Sequence, residues 1–214
     1  MRNLIIFCLL LLPNSLFADF PNAIQSVCKM YNHKNEGRGS AVAFREDEKY
    51  VWLLTAGHVV KDNPWLYAYF YINGKEQPAV VAKIHKINYN AEDTLANEML
   101  HDIAVMTIEK AWFKKQPIPP VIPIAYENAK KEDVIFSVGC PNMAWPCGFI
   151  GHIYNTTENI MSFYPNPEGG RSGSPIFDAK GEHIVGIVLW QTNSGGRGIT
   201  IKAIEELEVF EREE

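Results

Sequence analysis

From Ala41 to Ile201 the chain is written as short runs of β-branched and aromatic residues separated by Gly, Pro, Asn and Asp. The runs are Ala41–Phe44, Tyr50–Thr55, Trp65–Ile72, Ala79–Ile87 and Ile103–Ile108, then Val134–Val138, Phe149–Tyr154, Ile160–Phe163, Pro175–Phe177, Ile184–Trp190 and Gly198–Ile201. Many short strands with frequent turn signals imply an all-β barrel or sandwich. Asn73-Gly74, between two of the longer runs, predicts a hairpin turn. Prolines at 117, 119, 120 and 123 exclude regular helix and central strand there, so residues 114–123 are read as an extended connector between two lobes.

Other parts of the chain read differently. Ile201, Ile204, Leu207 and Phe210 recur at helical spacing, which predicts a helix over 202–212. Met1-Arg2 followed by the apolar run Leu4–Leu12 reads as a signal peptide over residues 1–18, too short to span a bilayer. Residues 19–36 are mixed and polar and are read as an extension packed on the surface. The first lobe then covers about 37–113 and the second about 124–201. The mature chain keeps Cys28, Cys140 and Cys147; Cys140 and Cys147 bracket a short loop that a disulfide could close, and buried free thiols are the alternative.

Composition limits the partners. The net charge of -5 and the lack of a dense Lys/Arg cluster give no electrostatic basis for binding nucleic acid or an anionic membrane. No stable membrane association is expected once the signal is removed. The histidines at 33, 85, 152 and 183 form no His-Glu-x-x-His pattern and the cysteines no Cys-x-x-Cys pair, so neither a metal nor another cofactor is expected.

The candidate chemistry lies in three stretches. Gly169-Gly170-Arg171-Ser172-Gly173-Ser174-Pro175 is a glycine-flanked serine in a tight loop whose backbone N–H groups can converge on an oxyanion. Leu53-Leu54-Thr55-Ala56-Gly57-His58 is an apolar run that presents a histidine on a small-residue turn. His101-Asp102-Ile103-Ala104-Val105 is an aspartate leading into a buried strand. Together they supply a nucleophile, a base and a group to orient the base. Their order, His58, Asp102, Ser172, differs from the Ser, acid, His order of α/β-hydrolases.

At these residues the chain resembles the chymotrypsin-like (trypsin-like) serine proteases. Gly-Ser-Pro after the nucleophile makes it similar to the short bacterial trypsin-like peptidases and the HtrA-type protease domain, and no PDZ-sized segment follows. The resemblance implies two six-stranded antiparallel β-barrels and a serine endopeptidase acting on proteins or peptides through an acyl-enzyme. His58, Asp102 and Ser172 would be catalytic, and the N–H groups of Gly170 and Ser172 the oxyanion hole. A protease fold kept as an inactive binding module is the alternative.

Digestive members carry Asp before the nucleophile, where it pairs with a new amino terminus. Arg171 stands there instead, and is expected to face solvent or an acidic partner. The same resemblance places the substrate pocket among Asn166, Glu168, Leu189, Trp190, Gln191, Gly198 and Thr200. Asn166, at the position of the pocket base, implies cleavage after uncharged residues, because Lys or Arg would need a carboxylate there. With a signal peptide, the expected location is secreted or periplasmic.

Overall fold

A computed structural model describes residues 20–31, 38–90, 101–144 and 146–205. The signal-like segment 1–18 and the part of the carboxy-terminal helix beyond 205 lie outside the described residues. Strands β1 (Val27–Tyr31), β2 (Arg38–Glu46), β3 (Tyr50–Thr55), β4 (Trp65–Ile72), β6 (Val80–Tyr89) and β7 (Asp102–Glu109) form the first barrel in the order β1-β2-β3-β7-β6-β4. Antiparallel pairing of β1 with β4, Cys28 opposite Phe70, closes it. The two-residue strand β5 (Lys75–Glu76) pairs only with β4, across the Asn73-Gly74 turn, where both residues take positive φ (53° and 76°) as a tight hairpin turn requires.

The second barrel closes in the order β10-β13-β12-β11-β8-β9. Its strands are β8 (Val134–Gly139), β9 (Cys147–Thr156), β10 (Ile160–Tyr164), β11 (Pro175–Asp178), β12 (Ile184–Thr192) and β13 (Gly195–Thr200). The helices are short: α1 (Pro21–Ser26), α2 (Gly57–Val60) and α3 (Ile201–Glu205). Ile201 and Ile204 on α3 are buried, as the helical stripe predicts. The architecture is the all-β double barrel that the resemblance implies.

The segment before residue 37 departs from the expectation of a surface extension. Val27, Cys28 and Met30 are fully buried, since β1 is the strand without which the sheet of the first barrel would keep two open edges. Ahead of it, the Phe20 ring stacks on Phe136 of the second barrel at 4.7 Å between centroids. Residues 20–31 therefore close one barrel and touch the other. None of the three described cysteines forms a disulfide: Cys28 and Cys140 are buried, Cys147 is half-buried, and burial pushes the Cys28 thiol far above its usual range.

One apolar cluster runs from the first barrel (Val42, Leu54, Met106) into the second (Phe136, Phe177, Leu189) and under α3 (Ile204). A smaller one, with Ile153, Met161, Phe163 and Ile176, fills the interior of the second barrel. Each fully buried large apolar side chain contributes about 2 kcal/mol. The shared cluster therefore fixes how the barrels face each other. The last residues of the connector touch both barrels: Ile122 N–H donates to Ala43 O at 3.0 Å, and Pro123 O accepts from Ile184 N–H at 2.9 Å.

Candidate active site

His58 is delivered by β3 and the single turn of α2 that follows it. Gly57 permits this, because a Cβ there would press at 3.1 Å against the Ile103 nitrogen and the Tyr89 side chain. Asp102 begins β7, the neighbour of β3, where Thr55 pairs with Ala104. The Asp102 side chain is fully buried, whereas that of His58 is 31% exposed. His58 uses both carboxylate oxygens: its backbone N–H donates to Oδ1 and its ring Nδ1 lies against Oδ2, each at 2.8 Å. A carboxylate accepting from Nδ1 fixes the proton on that nitrogen and leaves Nε2 free to accept another.

Ser172 lies in the loop between β10 and β11 of the second barrel. Its Oγ donates to the carbonyl of Leu189 at 2.9 Å. The next residue, Gly173, has φ of 82°, and a Cβ on it would run into the Ser40 carbonyl and the Thr55 hydroxyl. Only glycine lets the loop come this close to the first barrel.

The loop carbonyls are held in turn. Gly169 O accepts from Asn142 N–H at 2.9 Å, and Arg171 O accepts from Ser174 N–H at 2.9 Å. In a trans peptide the N–H points opposite to the C=O, so these anchors aim the N–H groups of Gly170 and Ser172 to the other side of their planes. Among the described residues, neither of those N–H groups donates to a backbone carbonyl. Two nearby N–H groups with no backbone acceptor among the described residues suit a negatively charged oxygen.

Arg171, between these donors, does not face solvent as expected. It is 4% exposed, and its Nη1 donates to Cys147 O at 3.1 Å. Its guanidinium lies 5.1 Å over the Phe149 ring. Burial lowers its affinity for its proton from the ordinary arginine value, an effect partly offset by Cys147 and Glu168. Phe149 supplies the flat surface on which a planar cation can be buried.

A profile of the trypsin-like peptidase domain matches residues 39–187. The chain belongs to the trypsin-like peptidase family. It is a serine endopeptidase by that membership, and protein or peptide is its substrate class. No curated protein matches it.

Solved structures share the peptidase's fold at low identity. Rv3671c from M. tuberculosis H37Rv, an inactive mutant form, is 17% identical, with 92% of this chain and 90% of that chain covered and a TM-score of 0.65. The serine endoprotease from Yersinia pestis is 21% identical at a TM-score of 0.65, with 92% of this chain and 66% of that one covered. Deg5 is 16% identical, with 89% and 90% covered and a TM-score of 0.67.

The peptidase's expected substrate-pocket residues fall in different surroundings. Leu189 is buried, its carbonyl on Ser172, and Trp190 beside it is half-buried against the apolar cluster. Gln191 and Glu168 are exposed. Asn166 is exposed rather than closed in a pocket base, with Nδ2 donating to Thr192 O at 2.8 Å. Gly198 is buried, and a Cβ there would meet Ile176 Cδ1 at 2.7 Å. Thr200 is turned to the loop before β10, donating to Glu158 O at 2.6 Å. Among the described residues, no three His, Cys, Asp or Glu side chains gather as a metal-binding group.

Proposed function

We propose that this peptidase cleaves peptide bonds with Ser172 as nucleophile, His58 as general base and acid, and Asp102 as the group that orients the imidazole. The observation that carries the proposal is the fully buried Asp102 carboxylate accepting from both the backbone N–H and the ring Nδ1 of His58. In this reading the Ser172 hydroxyl, which donates to Leu189 O, exchanges that acceptor for Nε2 by a side-chain rotation on a nanosecond scale.

The chemistry follows from these groups. Nε2 takes the Ser172 proton as Oγ bonds to the scissile carbonyl carbon, and the carbonyl oxygen becomes an oxyanion facing the N–H groups of Gly170 and Ser172. Collapse of that intermediate breaks the C–N bond, and His58 returns the proton to the leaving amine. Water, deprotonated by His58 in the same way, then releases the acyl group and restores Ser172. Because a protonated imidazole cannot accept the serine proton, only neutral His58 serves as the base.

The observed Ser172 Oγ bond to Leu189 O favours one other reading, a module that binds peptides without cutting them. Incubating the purified protein with an unfolded protein substrate separates the two. Fragments from the wild type and none from Ser172→Ala support the peptidase, whereas peptide binding without cleavage by folded wild type supports the module. Met1-Arg2 and the apolar run after it further support export to a secreted or periplasmic location. An amino terminus near Asp19 on protein recovered from outside the cytoplasm tests that step, and recovery of the uncleaved chain from the cytoplasm alone contradicts it.

A further inference from the structure

Ser40 belongs to β2 of the first barrel and is fully buried, yet its polar groups reach across to the nucleophile loop of the second. Its N–H donates to Ser172 O at 2.8 Å. Its hydroxyl accepts from Cys140 N–H at 3.0 Å and faces Gly170 O as donor at 3.4 Å. Its own carbonyl is fixed by the Thr55 hydroxyl at 2.7 Å, two residues before the turn that carries His58. One residue thus ties the end of β3 to both ends of the Gly170–Ser172 segment.

We propose that Ser40 is a positioning residue for the oxyanion hole, acting through the Gly170–Arg171 peptide plane. The planes on either side of it are firmly held, by Asn142 N–H on Gly169 O and by Ser174 N–H on Arg171 O, both at 2.9 Å. The middle plane has weaker anchors: Arg171 N–H to Glu168 O at 3.3 Å and the Ser40 hydroxyl to Gly170 O at 3.4 Å. Gly170 sits at φ of 91°, where glycine alone moves freely between wells. Without the hydroxyl, a single long turn bond restrains the plane that links the two donors. Reorientation there shifts Cα170 against Cα171 and pulls on both outer anchors, so the Gly170 and Ser172 N–H groups lose their alignment while β2 stays paired as before.

This inference rests on the catalytic reading of Ser172, and its test separates the two. In Ser40→Ala, kcat falls about ten- to a hundredfold, less than the roughly hundred- to thousandfold for outright loss of an oxyanion donor, and KM stays within about twofold. Affinity for a peptide aldehyde, which adds to Ser172 Oγ and places its oxygen in the hole, falls by the same factor as kcat/KM. Ser40→Cys, nearly the same size but a weak donor, shows the same pattern and carries the test if the alanine variant does not fold. Ser137→Ala removes another buried serine hydroxyl, one with no partner among the described residues, and keeps full activity. A folded Ser40 variant with wild-type kcat, or one altered in KM alone, overturns the role of Ser40 while leaving the triad standing. An inactive wild type removes both.

Discussion

The guanidinium of Arg171 is bonded to the carbonyl of Cys147, so the residue before Ser172 is tied to the first residue of β9. This tie is internal to the second barrel and needs no newly cut amino terminus. Protein beginning near Asp19 is therefore active without a processing protease. Arg171→Met keeps the apolar stem but leaves a carbonyl unpaired, which lowers stability by about 1–3 kcal/mol and reduces kcat. Urea unfolding and steady-state kinetics check both. Wild-type stability in the variant, or strict dependence of the wild type on an added protease, contradicts this account of Arg171.

Asp47 organises the turn between β2 and β3. Its carboxylate accepts from the N–H groups of Lys49 and Tyr50 at 2.8 Å each and from Trp52 Nε1 at 2.6 Å. What burial the carboxyl has pushes it up, but the bonds from Trp52, Tyr50 and Lys49, with the nearby Arg45 cation, outweigh that and hold it below the ordinary aspartate value. A carboxyl lowered on folding stabilises above its unfolded value and loses that contribution as pH falls through the folded value. Asp47→Asn is accordingly less stable than wild type at pH 7 by about 1 kcal/mol, a figure already reduced for solvent screening. The gap closes below about pH 4. Denaturant titrations at several pH values check this, and a gap that widens in acid contradicts it.

No carboxylate is buried among the segments expected to form the substrate pocket; Glu168 is exposed and Asn166 is engaged with Thr192 O. A Lys or Arg side chain entering there would lose hydration without an opposite charge in return. Cleavage is expected after uncharged or small-to-medium apolar residues. Mass-spectrometric mapping of cuts in a peptide library decides it. A majority of cuts after Lys or Arg would mean that Glu168 reaches the pocket base when substrate binds.

Local pattern was enough to read eleven of the strands in the sequence, because their β-branched runs and turn residues act within a few positions of each other. It was not enough for β1. Val27-Cys28-Lys29-Met30-Tyr31 has a lysine in the middle, and its burial depends on partners in β2 and β4, remote along the chain. Lys29 is accommodated by an ion pair with Glu76 at 2.6 Å, which no local signal reveals. His58, Asp102 and Ser172 stood out because their residue types and order are chemically restrictive. Ser40 and Asn142 did not, since they act through main-chain carbonyls that any residue at 169 or 170 would carry. Arg171 was misread for a related reason: charge suggests solvent, and only the fold brings Phe149 and Cys147 O to it.

Ser172 is expected to become nucleophilic because His58, held by Asp102, removes its proton. A fluorophosphonate probe reports this directly, since it is attacked by an activated serine and leaves a stable adduct. Mass spectrometry of the labelled protein is predicted to place one adduct on Ser172. Labelling is lost in Ser172→Ala and slowed by at least about a thousandfold in His58→Ala. Folded wild-type protein that stays unlabelled, or an adduct that persists at an unchanged rate in His58→Ala, contradicts the account.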